Sequence, residues 1–423
     1  MTAPVIGFAG MTHLGLVSGV SASEKGFNVI CFDPDAARVA ALGRRALPIS
    51  EPQLDELVAK NAERLKFTST ATDLSACDVI YVAPDVPTDD SGRSDLGPVN
   101  ALLDSVFAAA RKDAVVILLS QVPPGFTRGW QRPGRSLYYQ VETLIFGHAV
   151  ERALCPERYI VGCADPAQLL PPAYRAFLTA HGCPILPMRY ESAELAKISI
   201  NMCLVASVSV ANTLAELCEK IGAVWSEIVP ALKLDKRIGQ YAYLAPGLGI
   251  AGGNLERDLA TVCNYADRYG TDAGVVRAWG ANSRHRRDWA LRILHREILS
   301  RMDDPVIAVL GLAYKQDTHS TKSSPSIALL EHLKPFRVRV FDPVVPASAA
   351  PNPRCHAAKS ELDACEGADV LVVMTPWRQF GGLDPARIAQ HLRGKTVLDP
   401  YAVLNVTACR AAGLNYLTLG VQS

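Results

Sequence analysis

Two groups of residues in this 423-residue chain have types and spacings that could do chemistry. The first is Gly10-Met11-Thr12-His13-Leu14-Gly15, set between a β-branched run, Val5 to Ala9, and an amphipathic stretch from about Leu16 to Lys25. Strand, glycine turn and helix in that order make a phosphate cradle: the first glycine forms the tight turn, the second admits a pyrophosphate to the backbone, and the third lets helix pack on strand. Thr12 stands at the second glycine. Its side chain narrows the approach, although its hydroxyl can donate to a phosphate oxygen and the helix N-terminus still favours the anion. Asp33, ending the next strand, is placed to accept from adenosine ribose hydroxyls and to repel a 2'-phosphate, which argues for NAD over NADP. A bare strand-to-helix turn is the competing reading of the glycines alone. His13, beside the turn, reads as a surface or packing residue rather than an acid/base group. The second group is Lys197 and Asn201, four apart and so on one face of a helix within an apolar stretch. There they either meet a ligand or reduce to a snorkelling lysine and a satisfied core amide.

The elements that must position these groups alternate between short β-branched runs and longer amphipathic ones at each end of the chain. Val5 to Ala9, Asn28 to Phe32, Val79 to Ala83, Val115 to Ser120 and Tyr159 to Gly162 read as strands of a doubly wound parallel sheet. From about Tyr190 to Arg292 the pattern is helical. AELAKISINMCLVASVSVANTLAELCEKIG runs without proline or internal glycine and is apolar on more than one face, as a helix buried between domains or subunits would be. After about Asp304 the strand rhythm returns at Val306 to Leu310, Val338 to Phe341, Val370 to Met374 and Thr396 to Leu398. The expected class is α/β, with a doubly wound N-terminal domain over 1–189, a central long-helix region over 190–300 and a second α/β domain over 301–423. Ser120 to Arg135 is a Pro/Gly/Arg-rich loop.

Composition bounds the partners. Lys plus Arg is 43 against 42 acidic residues, which supplies no basic field for nucleic acid or anionic lipid. Eleven cysteines are scattered without a CxxC pair or a Cys/His cluster, so neither a metal site nor a disulfide framework is expected. Scattered thiols, an N-terminus without a charged n-region, and no apolar run approaching roughly 18 residues together predict a soluble, cytoplasmic protein that contacts no membrane.

Further blocks carry a resemblance. They are APDVPTDDSGRSDLGPV (Ala83 to Val99), SQVPPGFT (Ser120 to Thr127), VETLIFG (Val141 to Gly147), DKRIG (Asp235 to Gly239), GLGIAGGNLERD (Gly247 to Asp258), GLAYKQDTHSTKSSPS (Gly311 to Ser326) and LDPY (Leu398 to Tyr401). With the glycine turn and the Lys197/Asn201 helix, and in this order, they resemble the UDP-glucose/GDP-mannose dehydrogenase family over nearly the whole chain. The resemblance implies an N-terminal Rossmann-type NAD domain, a central helix through which two copies form a homodimer, and a Rossmann-like C-terminal domain that holds a nucleotide sugar. That family oxidises a primary alcohol of a nucleotide sugar to the carboxylate with two NAD, by way of a cysteine thiohemiacetal and thioester.

Carried over position by position, the resemblance implies cofactor contacts at Gly10, Thr12, Leu14, Gly15, Asp33 and Arg38, at Val86, Pro87 and Thr88, and at Ser120, Gln121 and Lys322. Val86 and Gln121 replace threonines, and Lys322 stands where an arginine is usual. It implies substrate contacts at Glu142, Leu144, Lys197 and Asn201, at Arg237, Tyr243, Leu244 and Gly249, and at Tyr314, Lys315 and Tyr401. Arg237 is the residue the family brings across the dimer interface. Tyr401 replaces an arginine, and a tyrosine there can stack on a base or sugar. Glu142 matches the glutamate that handles water and protons, whereas Phe146 replaces a second glutamate.

The loop Gly247 to Asp258 aligns with the family's active-site loop without a gap, placing Asp258 at the catalytic aspartate and Asn254 at the nucleophilic cysteine. Glu256 and Arg257 replace a proline and a lysine. A carboxamide nitrogen is delocalised and essentially inert, so no thiohemiacetal or thioester can form on it. Cys263, nine residues on, is not expected to substitute. The expected machinery is Asp258 with Lys197 accepting the hydroxyl proton, Lys197, Asn201 and Asn254 donating to the developing oxyanion, and Glu142 activating water. Three readings stay open: an NAD-dependent nucleotide-sugar dehydrogenase that stops at the aldehyde or oxidises its hydrate, an altered redox reaction at another sugar carbon with retained NAD, and a catalytically silent binder of NAD or a nucleotide sugar.

Overall fold

The computed structural model describes residues 3–87, 89 and 93–422. Chain packing separates two compact units, Met1–Ile200 and Asn201–Ser423.

The first unit is built on strands β1 (Ile6–Ala9), β2 (Val29–Phe32), β3 (Leu65–Thr68), β4 (Val79–Val82), β5 (Val115–Leu118), β6 (Ser136–Gln140), β7 (Tyr159–Cys163) and β8 (Ile185–Arg189). They form one sheet in the order β3-β2-β1-β4-β5-β6-β7-β8, in which only the β6–β7 pair is antiparallel. β1, β2, β4 and β5 are buried throughout, as their runs without a charged residue require when helices cover both faces. β3, β6 and β8 are absent from the sequence reading. The edge strands β3 (LKFT) and β8 (ILPMR) are largely solvated, β8 carries Pro187, and β6 is polar at both ends. Strand order reverses at β1 and β4, the switch point where doubly wound sheets open a crevice at their carboxyl ends. Gly10 follows β1 there.

The second unit holds a six-stranded, all-parallel sheet of β9 (Val306–Leu310), β10 (Arg337–Phe341), β11 (Cys355–Ala357), β12 (Val370–Val373), β13 (Thr396–Leu398) and β14 (Asn415–Leu417), in the order β11-β10-β9-β12-β13-β14. The three-residue edge strands β11 and β14 carry too short a pattern to be read from sequence. The expected α/β class, with two parallel-dominated sheets, is what the chain forms.

The first helix, His13–Glu24, starts earlier than the apolar pattern suggests: Thr12, with extended backbone, stands at its N-cap position, and its carbonyl already accepts from the Leu16 amide. The long helix spans Tyr190–Ile221. An 18-residue window of it has mean hydropathy 1.6, so it is long and apolar enough to cross a membrane, contrary to the expectation that no stretch approaches that. The reason is that Ser, Asn and Thr interrupt its apolar residues without adding charge, and Val205, Ala211, Ala215 and Cys218 are buried by the second unit's own packing. Arg286, fully buried on the helix Gly274–Arg287, meets Glu216 and Glu219 of the long helix, and Glu219 also accepts from Trp289 and from the Gly420 backbone.

Candidate active site

In the first unit the glycine turn is shaped as a cofactor cradle must be. Gly10 has φ +95°, and a Cβ on Gly15 would sit 1.9 Å from the Gly10 carbonyl oxygen, so only glycine lets the first helix close on the turn. The Thr12 hydroxyl accepts from the Asp85 amide at 2.7 Å, which leaves its proton to be donated. Asp33 is buried at the end of β2 and accepts from the Met11 amide (2.7 Å), the Asp35 amide (2.9 Å) and Arg38 Nη1 (2.9 Å). Its carboxylate thus braces the turn. Ser120, also buried, donates to the Pro84 carbonyl at 2.5 Å, and the Pro87 carbonyl accepts from Asp95. Leu14 is buried, Val86 packs against the core, and Gln121 is partly buried. Thr88 lies outside the described residues.

The segment after β6 carries the second feature. Glu142 Oε1 lies 3.0 Å from Lys197 Nζ, and its Oε2 accepts from the Leu144 amide at 2.9 Å. Lys197 is thus paired with Glu142 within the first unit. A neighbouring carboxylate missed in sequence, Glu194, is fully buried and accepts from the Gly125 (2.5 Å) and Thr127 (2.8 Å) amides, clasping the Ser120–Thr127 loop. Burial raises the Glu194 pKa, and those two amides oppose the rise. Arg128 holds the adjacent Glu191 carboxyl down at about 2.

In the second unit Asp258 is 1 % exposed and accepts from Asn201 Nδ2 at 2.5 Å, with Arg257 Nε 3.3 Å from its other oxygen. Asp258 sits on the helix Asn254–Tyr269, whose N-cap, Gly253, has φ +89°. The loop leading into this helix is tied down along its length. The Gly247 amide donates to Asn212 Oδ1 (2.8 Å), Ile250 donates to Ser283 Oγ (2.8 Å), and Gly252 donates to the Lys322 carbonyl (3.0 Å). Tyr314 packs so closely on Gly252 that a Cβ there would meet its ring at 2.6 Å, and Lys315 Nζ lies 5.9 Å from that ring's centroid. Gly249 packs on the Ser283 carbonyl. Asn212 and Ser283 were invisible in the sequence, since isolated polar residues on helices announce no loop partner.

Asn254, the first residue of its helix, is exposed. Cys263 lies nine residues on along the same helix, about 13 Å along the axis and on the opposite face. Of the remaining substrate expectations, Leu244 is buried with its carbonyl taken by Trp225 Nε1, Tyr243 is half-exposed, and Arg237 projects into solvent with a salt bridge to Asp235 at 2.6 Å. Tyr401 packs near Gly247 of the loop, and burial pushes its phenol well up.

Comparison with known proteins decides the family. Residues 4–173 match the NAD binding domain of the UDP-glucose/GDP-mannose dehydrogenase family, 191–284 its central domain and 308–406 its UDP binding domain. A UDP-glucose 6-dehydrogenase of Rickettsia typhi is 30 % identical over 98 % of this chain and 99 % of its own length. The chain belongs to the UDP-glucose/GDP-mannose dehydrogenase family. Another relative, the UDP-glucose 6-dehydrogenase of Pseudomonas aeruginosa, is 31 % identical over 92 % of this chain and 91 % of its own. A UDP-glucose dehydrogenase structure from Pyrobaculum islandicum shares the fold, with TM-score 0.86 and 24 % identity over 100 % of this chain and 98 % of its own. Within this family member the N-terminal unit carries the NAD-binding fold, and the residues at Gly10–Gly15, Thr12 and Asp33 fit a dinucleotide. Bound there, NAD supplies a hydride acceptor.

Proposed function

We propose that this protein is an NAD-dependent oxidoreductase that oxidises the primary alcohol of a nucleotide sugar to an aldehyde without covalent attachment to the enzyme. The reading is carried by one observation: the buried Asn201–Asp258 pair, held at 2.5 Å below a loop whose helix begins with Asn254. Asp258 accepts the hydroxyl proton as the carbon gives up its hydride, so one C–H and one O–H bond break and a carbonyl forms. Lys197 and Asn201, one helical turn apart, donate to the oxygen as charge develops. Glu142, paired with Lys197, holds the proton that moves when water adds to the aldehyde. Oxidation of the resulting hydrate by a second NAD gives a carboxylate without any thiol.

The same reading includes a homodimer. Val210, Leu214, Leu217 and Ile221 repeat along the long helix at spacings of four, three and four and are 40–63 % exposed, an apolar stripe that a second copy would cover. The outward-facing Arg237 fits a residue lent to the partner's site. The protein is expected to be soluble and cytoplasmic.

The test is to incubate purified protein with NAD and a panel of UDP- and GDP-sugars and to count NADH per sugar consumed, with and without an aldehyde-trapping amine. A trapped aldehyde supports the reading. NADH in a ratio of two per sugar that no trap diminishes would exclude a reaction that stops at the aldehyde, a covalent sugar adduct on the quenched protein would sink the reading, and binding of both ligands without turnover would favour a silent binding protein.

A further inference from the structure

Glu51 is a buried carboxylate that joins two parts of the first unit. Its side chain is 0 % exposed, and His13 Nε2 lies 2.8 Å from Oε1. The Gly147 amide donates to both carboxylate oxygens at 3.0 Å, and the Ala149 amide reaches Oε2 at 3.4 Å. His13 opens the first helix, in the middle of the glycine turn, and its own amide donates to Asp85 Oδ2 at 2.9 Å. The imidazole also packs on Phe146, ring centroids 4.1 Å apart. Gly147 ends the segment that begins at Glu142, whose carboxylate is fixed at the other end by Lys197 and the Leu144 amide. A carboxylate buried in this way is costly unless every lone pair is met, and here the donors come from the turn on one side and from this segment on the other.

We propose that Glu51 and His13 are a positioning pair that sets the Glu142–Gly147 segment against the dinucleotide turn, so that NAD occupancy and the placement of Glu142 are coupled. The coupling rests on the NAD and Glu142 roles proposed above; the positioning itself does not. Neither residue touches the reacting atoms.

The test reads amide hydrogen exchange in the unliganded protein and with NAD added. His13→Phe keeps the ring against Phe146 and removes the donor, Glu51→Gln keeps the shape and removes the charge, and His13→Gln places an amide donor near the lost Nε2. In the unliganded protein, exchange at Gly147–Ala149 is expected to rise about tenfold in His13→Phe and Glu51→Gln, to return toward the parent in His13→Gln, and to leave β5 unchanged. With NAD, the parent protein protects both Gly10–Gly15 and Gly147–Ala149, and His13→Phe keeps the first protection while losing the second. Parent-like unliganded exchange at Gly147–Ala149 in both variants overturns the positioning pair, as does a rise spread equally over β5. Protection of both segments by NAD in His13→Phe overturns the coupling. Absence of NAD protection at Gly10–Gly15 in the parent strikes the cofactor reading instead, and the unliganded comparison still decides the pair.

Discussion

Asn201 donates to Asp258 across 2.5 Å, and both side chains are buried. The amide thereby fixes which carboxylate oxygen is engaged and leaves the other toward Arg257. If Asp258 takes the hydroxyl proton, Asp258→Asn is expected to lower kcat by about 10²–10⁴-fold while NAD affinity stays within a few-fold, because general-base catalysis contributes on that scale. Steady-state NADH formation together with calorimetric NAD titration checks it. Unchanged turnover would remove Asp258 from the chemistry. Asn201→Ala should cost less in kcat than Asp258→Asn, since it loosens the base without deleting it.

Glu142 and Lys197, 3.0 Å apart and both mostly buried, hold opposite charges that cannot be removed singly without leaving the other exposed to a poor environment. Glu142→Gln is expected to slow conversion of added aldehyde to acid by at least about tenfold more than it slows the first oxidation. Lys197→Met should slow both stages, because it also removes a donor from the developing oxyanion. Stopped-flow NADH traces with the alcohol and with the aldehyde as separate substrates distinguish the two outcomes; equal loss in both stages for Glu142→Gln would end its assignment to water.

The sequence showed the strands that are buried on both faces and the motifs that punctuate them, because a run such as VIYV or VVIL between glycine turns has few other fates. It hid the half-solvated edges β3 and β8 and the three-residue β11 and β14, whose patterns are too short or too polar to register. The resemblance singles out Lys197 and Glu142 by position in the first unit and Asp258 in the second, but not the ion pair that Lys197 makes with Glu142. The pairing of Lys197 with Glu142 depends on how the segment after β6 folds back, which no local spacing encodes. Glu51, Glu194, Asn212 and Ser283 act by accepting backbone amides from distant loops, and a lone polar residue gives no sign of that.

Asn254→Cys is a direct probe of what the loop lacks. Gly253 sets residue 254 at a helix N-terminus, where the aligned amides lower a thiol's pKa and favour the thiolate. The substitution is expected to yield a protein that iodoacetamide inactivates and in which aldehyde trapping falls, with NADH per sugar moving toward two. Labelling without any drop in trapped aldehyde would place the obstacle in Glu256 and Arg257 or elsewhere in the loop.

The apolar stripe on the long helix gives a prediction about assembly. Leu214→Glu with Leu217→Glu introduces two carboxylates in the middle of a face that is now apolar and half-exposed. In a dimer that buries this face the pair of charges is expected to weaken association by at least about 100-fold, two buried unpaired charges costing several kcal/mol. Sedimentation velocity reads the result: monomer for the variant and dimer for the parent. The helix remains folded in both because the two positions face solvent in the isolated chain. A parent protein that sediments as a monomer would remove the dimer.

His181 supplies a pH dependence. It lies against Tyr159 and Phe177, its Nδ1 is 3.1 Å from the Phe177 carbonyl oxygen, and burial lowers its pKa from 6.5 to about 4. The folded state therefore binds this proton less readily than the unfolded chain does. Stability from the neutral imidazole is fully present above about pH 6.5 and is lost as pH falls toward 4, with a slope of at most about 1.4 kcal/mol per pH unit. Carboxylates titrate over the same range, so the informative quantity is a difference between two proteins. His181→Asn keeps an amide donor near Nδ1 and has nothing to protonate. Its midpoint of thermal unfolding is expected to lie below the parent's at neutral pH, through lost ring packing, and to close or reverse that gap by pH 4. Parallel Tm curves for the two proteins from pH 7 to 4 would show that His181 titrates as it does in the unfolded chain.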